Sequence, residues 1–139
     1  MKLLIDANIL LDVLQNRENF VRASSMVWKL CETEQAKGYI SALTFANLVY
    51  IMRKEMDAQR IEEVLHMLSL IFEFAELNDS DLFRAAALQW PDFEDAVQSV
   101  TAERIHADYI ITRNVRDFSR SKVIEIGRAS CRERVCQYV

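Results

Sequence analysis

The chain has 139 residues, of which 51% are hydrophobic and 27% charged, and its formal net charge is −4, which predicts one soluble domain with a core of its own. No apolar run approaches the roughly 20 residues of a membrane span, and the first residues lack a secretory leader, so a cytoplasmic protein without membrane contact is expected. Two of the three cysteines lie near the C-terminus, which argues against a disulfide framework.

The first half of the chain alternates apolar runs with segments of helical periodicity. Short apolar runs predict buried strands, and apolar residues spaced three and four apart predict helices. The predicted elements are, in order, a strand over residues 2–6, helices over 8–15 and 20–35, a strand over 39–41, and helices over 44–56 and 57–70. Gly38 is expected to end the turn before the second strand, and the last two helices are expected to form a hairpin.

The second half predicts a strand over 72–75, helices over 80–89 and 93–106, and a strand over 109–112. Pro91 separates the two helices, because proline cannot continue a helix. Short strands that alternate with helices indicate an α/β fold whose parallel sheet is covered on both faces. Ligands in such sheets bind beyond the carboxyl ends of the strands, so residues that follow the strands are candidate site residues.

Asp6 directly follows the first predicted strand. Burial of a carboxylate is costly unless a cation or hydrogen-bond donors offset its charge, so Asp6 is a candidate metal ligand. An alternative of equal weight is that Asp6 caps the next helix, since aspartate is a favoured N-cap. Asn8 is expected either to cap the same helix or to orient Asp6 through its amide.

Three carboxylates follow Pro91 within one helical turn: Asp92, Glu94 and Asp95. The helix dipole stabilises negative charge there, and Asp92 is the natural N-cap, so capping explains part of the cluster. Three like charges exceed what capping requires, and a bound cation would relieve their repulsion.

The segment after the fourth strand carries Asn114 and Asp117. Both are ordinary turn residues, but at a strand end they would share a crevice with Asp6. Asp6, Asp95 and Asp117 would then offer oxygen ligands to a divalent metal ion. Basic residues of this segment are expected either to contact phosphate groups or to form an ordinary solvated loop: Arg113, Arg116, Arg120 and Lys122.

Four segments carry a resemblance to a known family: LLIDANILLD, ISALTFANLVYIMRK, PDFEDAVQ and DYIITRNVRDF. In order and spacing they resemble the PIN domains, which are metal-dependent ribonucleases that include the VapC-like toxins of bacterial toxin–antitoxin pairs. The resemblance covers nearly all of residues 2–124. It implies a three-layer, Rossmann-like α/β fold with a mostly parallel sheet of four to five strands.

The resemblance also implies an acidic pocket that holds Mg²⁺ or Mn²⁺ and activates water to cleave RNA, leaving a 5′-phosphate and a 3′-hydroxyl. Asp6 and Asp95 match the family's first and third acidic positions. For the fourth position we favour Asp117, with Asn114 as a neutral ligand or helper. The implied partners are RNA and a small antitoxin protein, and a homodimer is a further alternative.

The second acidic position departs from the family pattern, because Asn47 stands where most active members have glutamate. The loss of one carboxylate weakens metal binding by a full formal charge. Either Asp92 or Glu94 compensates, or activity is reduced or lost. A catalytically weak module that binds RNA or a protein partner is therefore the main rival. A small-molecule phosphohydrolase fits less well, because a chain with two glycines lacks a glycine-rich phosphate loop.

The last segment, residues 127–139, has no apolar period, carries three arginines and resembles the translation of a sequencing-adapter sequence. We therefore expect a PIN-like domain over residues 1–126 and a non-native tail over 127–139, whose removal costs little stability. Metal binding by the tail cysteines, Cys131 and Cys136, is a weaker alternative, since no matching histidines or further cysteines accompany them.

Overall fold

A computed structural model describes residues 1–113 in full and residues 124–127 by their backbone. Within these residues the elements are β1 (Lys2–Ile5), α1 (Ala7–Leu14), α2 (Val21–Glu32), β2 (Lys37–Ser41), α3 (Ala42–Met52), α4 (Ala58–Ile71), β3 (Glu73–Ala75), α5 (Asp79–Leu88), α6 (Phe93–Arg104), β4 (Tyr109–Thr112) and β5 (Ile124–Gly127). In the same residues, no helix has the length and apolar character needed to cross a membrane.

The strands form one parallel sheet in the order β3-β2-β1-β4-β5. From β1 the chain moves outward through β2 to β3 and then returns to the other side of β1 with β4. The carboxyl ends of β1 and β4 lie side by side, since Ile5 pairs with Ile111. This change of direction is where α/β sheets form a ligand crevice.

Helices cover both faces of the sheet, and the side chains of β1 are therefore buried on both sides. Leu3 and Ile5 pack into the main core, which contains buried residues of α1 through α4. Leu4 points to the opposite face, where it joins Ala102 of α6 and Ile110 of β4. The predicted three-layer α/β architecture is therefore confirmed.

Several boundaries differ from the prediction, as three examples illustrate. Gly38 lies inside β2 instead of in the preceding turn, and α1 begins at Ala7, one residue earlier than predicted. β5 was not assigned from the sequence, and its last residue, Gly127, pairs with Thr112 across the predicted boundary at residue 126. The rest of the predicted tail, residues 128–139, lies outside the described residues.

Gly38 allows β2 to pack closely against α2 and the residue before β3. A Cβ atom there would lie 2.6 Å from the Cys31 sulfur and 2.7 Å from Cδ1 of Phe72. Both neighbours belong to the buried core, and burial raises the pKa of the Cys31 thiol to about 12, so this cysteine packs as a neutral side chain.

We expect Gly38→Ala to lower the free energy of unfolding by about 1 to 3 kcal/mol, as overpacking of a core does. Denaturant unfolding would measure the loss. The same substitution in a Cys31→Ala background should cost less, because the nearest atom is removed. An equal cost in both backgrounds would contradict the steric explanation.

Candidate active site

Asp6 occupies the junction between β1 and α1, at the carboxyl edge of the sheet. Its Oδ1 accepts a hydrogen bond from the Ala7 amide at 2.8 Å, and its Oδ2 accepts one from the Thr112 hydroxyl at 2.9 Å. The backbone amide of Asp6 donates to the Ile111 carbonyl at 3.0 Å. Asp6 is thus the N-cap of α1, as the alternative interpretation predicted, and it is tied to the end of β4.

The electrostatics of Asp6 favour a bound cation. Burial raises the pKa of its carboxyl group above the ordinary 3.8, and the negative charge of Glu94 raises it further. The hydrogen bonds from Thr112 and Ala7 and the charge of Arg113 act in the opposite direction. The ionised form of Asp6 is therefore less favourable than it would be in water, and a cation would stabilise it.

Glu94 contacts Asn47, which occupies the position of the second acid in the family pattern. The Asn47 side-chain amide in α3 donates a hydrogen bond to Glu94 Oε2 in α6 at 3.2 Å. Because the charge of Glu94 acts on Asp6, the carboxylate of Glu94 reaches the same region. Asp92 has a different position: it caps α6 by accepting from the Asp95 amide at 3.1 Å.

A second, buried contact holds the same two helices together, one turn later in α6 and one turn earlier in α3. The Gln98 amide donates to the Thr44 hydroxyl at 2.9 Å, and the Ser41 hydroxyl donates to the same oxygen at 3.1 Å. Gln98 follows Glu94 by four residues, and Thr44 precedes Asn47 by three, so each helix presents both contacts on one face. This buried network fixes α6 against α3 and thereby places Glu94.

Apart from Asp92, which caps α6, the predicted site residues fall into three groups. Asp6, Asn47, Glu94 and Arg113 are brought together, and Asp95 lies partly buried in the first turn of α6. Asn8 does not cap α1, since it lies within the helix and accepts from Arg17 at 3.4 Å. The remaining predicted residues lie outside the described part of the chain: Asn114, Arg116, Asp117, Arg120 and Lys122.

The donor set fits a hard divalent cation. Carboxylate and amide oxygens are the ligands that Mg²⁺ and Mn²⁺ prefer, and Asp6, Glu94 and Asn47 supply them. Among residues 1–113 no group of three acidic, histidine or cysteine side chains converges closely enough to hold a metal. The predicted ligand Asp117 lies outside the described residues.

Sequence reasoning missed Thr112 as a site residue. The strand-end position of Thr112 could have identified it, because Thr112 ends the strand next to β1 and its hydroxyl lies beside Asp6.

A family model described as "PIN domain" matches residues 2–116. A comparison with curated proteins finds no significant match.

Several solved structures share the fold. VapBC-1 from nontypeable Haemophilus influenzae is 17% identical with a TM-score of 0.71, over 93% of this chain and 99% of that chain. A toxin–antitoxin complex from Klebsiella pneumoniae is 22% identical with a TM-score of 0.68, over 90% and 96%. VapBC2 from Rickettsia felis, bound to a promoter DNA fragment, is 16% identical with a TM-score of 0.68, over 91% and 98%.

Proposed function

The chain belongs to the PIN domain family, and on that premise we propose that it is a metal-dependent endoribonuclease, the toxin of a toxin–antitoxin pair. The observation that carries the proposal is the placement of Glu94. This carboxylate accepts a hydrogen bond from Asn47 and acts on Asp6, which supports Glu94 as a substitute for the family glutamate that this chain lacks.

The residues have distinct roles in the proposed reaction. Asp6 and Glu94, with Asp95 and Asp117, hold Mg²⁺ or Mn²⁺, and Asn114 assists. When bound, the ion acts as a Lewis acid that lowers the pKa of water and neutralises charge on the phosphodiester. Thr112 and the Ala7 amide fix the Asp6 carboxylate by the hydrogen bonds described above, so its oxygens need no reorganisation when the ion binds.

The proposed partners follow from the family and from the structural neighbours. The substrate is RNA, whose phosphates are contacted by Arg113 and by Arg116, Arg120 and Lys122. The Klebsiella pneumoniae neighbour is named as a toxin–antitoxin complex, which supports a small antitoxin as protein partner. An antitoxin-like gene beside the one that encodes this chain is the corresponding genomic expectation.

Incubation of the purified protein with end-labelled RNA tests the proposed function. We expect fragments with a 5′-phosphate and a 3′-hydroxyl in Mn²⁺ or Mg²⁺, and none in excess EDTA. Asp6→Ala is the matched negative control, because it removes a proposed ligand from the same preparation. Fragments that form equally in EDTA or with the Asp6 variant would overturn the proposal.

The second candidate function is a catalytically weak module that binds RNA or a protein partner, and Asn47 is the residue that favours it. The same assay separates the two candidates. Retention of RNA or of an antitoxin without fragments in either metal would support the weak module.

A further inference from the structure

Asp12 is a fully buried carboxylate in α1, between one and two turns after Asp6. Its Oδ2 accepts a hydrogen bond from the Ser24 hydroxyl of α2 at 2.7 Å. Its Oδ1 lies 3.5 Å from a guanidinium nitrogen of Arg17 and 3.6 Å from one of Arg113. A buried charge must be paired to be tolerated, so Asp12 is fixed on its inner side and holds two arginines on its outer side.

The two arginines have further contacts that fix their positions. Arg17 donates from Nε to the Gln15 side chain at 3.0 Å and from its terminal nitrogen to Asn8 at 3.4 Å. Arg113 stacks on the Phe20 ring, with its guanidinium carbon 4.3 Å from the ring centroid. Neither side chain is buried completely, since the exposed fractions are 29% for Arg17 and 20% for Arg113.

This arrangement lies next to the candidate active site. Asn8, which accepts from Arg17, follows Asp6 by two residues, and Arg113 directly follows Thr112, which donates to Asp6. Two guanidinium groups around one carboxylate leave a net positive charge in a chain whose net charge is −4. Guanidinium groups that are held in place and partly exposed suit the recognition of phosphate oxygens.

We propose that Arg17 and Arg113 form a binding site for the RNA backbone beside the cleaved bond, and that Asp12 is the positioning residue for both. The proposal rests on the proposed function for the identity of the ligand. It adds Arg17 and Asp12, which no sequence pattern indicated, to the residues that bind substrate. It also predicts that charge alone is insufficient, because the two guanidinium groups must be held side by side.

The test measures binding without cleavage. A labelled single-stranded RNA oligonucleotide is titrated with the full chain in EDTA, at several salt concentrations, and fluorescence anisotropy is recorded. We expect Arg17→Ala to weaken binding about fivefold or more and to reduce the salt slope by roughly 0.7, as for one lost phosphate contact to a single strand. Arg17→Lys should keep most of the slope, because it keeps the charge, but it should still weaken binding, because the guanidinium group is lost.

Arg84→Ala is the matched control. Arg84 is also a partly exposed arginine paired with a carboxylate, Glu103, at 3.3 Å. Glu103 lies nine residues after Glu94 in α6, about 14 Å along the helix axis, so this pair is at the end of α6 remote from Glu94. RNA binding should be unchanged in this variant. An equal loss in the Arg84 and Arg17 variants would overturn the proposal.

Asp12→Asn separates positioning from net charge. Removal of a negative charge should strengthen non-specific binding to a polyanion, whereas loss of the anchor should weaken binding at the proposed site. We expect weaker binding, and equal or tighter binding by a folded variant would overturn the role of Asp12. If circular dichroism shows that the variant is unfolded, the Arg17→Ala and Arg113→Ala double-mutant cycle replaces it, and a coupling energy of zero would overturn the paired site.

The outcomes also distinguish this proposal from the proposed function. RNA binding that depends on Arg17, in a wild-type protein that does not cleave RNA in Mn²⁺, would overturn the nuclease and support the binding site. RNA cleavage by the wild type, together with an unchanged RNA affinity in Arg17→Ala, would support the nuclease and overturn the binding site.

Discussion

Replacement of Asp6 with asparagine is expected to weaken the binding of Mg²⁺ or Mn²⁺ at least about tenfold and to reduce RNA cleavage about a hundredfold. The substitution removes one negative charge at contact distance from the proposed ion, and such a charge contributes on the order of 1 to 4 kcal/mol between water and a partly buried site. Asparagine keeps an oxygen acceptor for the Ala7 amide. Isothermal calorimetry measures the affinity, and equal affinity in the variant would remove Asp6 from the site.

The same variant should be more stable than the wild type when metal is absent. Because the pKa of Asp6 is raised in the folded protein, the folded state holds its proton more tightly than the unfolded state does. Wild-type stability therefore falls as pH rises from about 3.8 through the folded-state pKa, and the loss persists at neutral pH. Asparagine cannot ionise, so we expect a higher free energy of unfolding than the wild type at pH 7, and this gain should disappear in acid.

Asp57→Asn is the matched control for this gain. Asp57 is also a helix N-cap, and it accepts from the Arg60 amide at 2.8 Å, but it is exposed at the start of α4. Thermal unfolding in EDTA from pH 3 to 7 should show a gain at neutral pH for the Asp6 variant alone. A destabilised Asp6 variant at pH 7 would mean that its hydrogen bonds outweigh its buried charge.

The rule that ligands bind beyond the carboxyl ends of parallel strands indicated where the candidate site lies, but it did not identify all of its residues. Asp6 was identifiable because it follows an apolar strand, and the parallel connections require the ends of β1 and β4 to meet. These are local patterns and general rules of topology. The choice between Asp92 and Glu94 could not be made from sequence, because it depends on the rotation of α6 relative to α3.

Asp12 illustrates a different limit. In the sequence it is a polar residue of a short amphipathic helix, and charged residues at such positions are usually exposed. Its complete burial depends on Ser24 and on two arginines, one of them at position 113. Contacts of such long sequence separation exist only after the sheet has formed. β5 was missed for another reason: the end of the predicted domain, at residue 126, was placed inside this strand.

The second large effect concerns Glu94, the acid proposed to replace the missing glutamate. We expect Glu94→Gln to weaken metal binding at least about tenfold, whereas Asp92→Asn should change it little. Glu94 accepts from Asn47 and acts on Asp6, while Asp92 uses its carboxylate to cap α6, a role that asparagine can also fill. If Asp92→Asn weakens binding and Glu94→Gln does not, then Asp92 is the compensating acid.

A double variant that exchanges the amide and the carboxylate between positions 47 and 94 makes the test sharper. In the double variant Asn47→Glu with Glu94→Gln, a carboxylate returns to the position of the family pattern, and an amide at position 94 can donate the hydrogen bond that Asn47 now donates. Metal affinity and cleavage should recover to within about threefold of the wild type, because the number of carboxylates and the contact between α3 and α6 are both restored. The single variant Asn47→Glu should be less stable without metal, since it sets two carboxylates side by side.

Calorimetry and RNA cleavage on the four proteins of this cycle, the wild type, both single variants and the double variant, give the coupling between positions 47 and 94 directly. Strong coupling is expected because a carboxylate at one of the two positions needs an amide at the other as its hydrogen-bond donor. Additive losses in the cycle would mean that Glu94 binds no metal together with position 47. The weak-module interpretation of Asn47 would then stand, because the site would have lost its second acid without replacement.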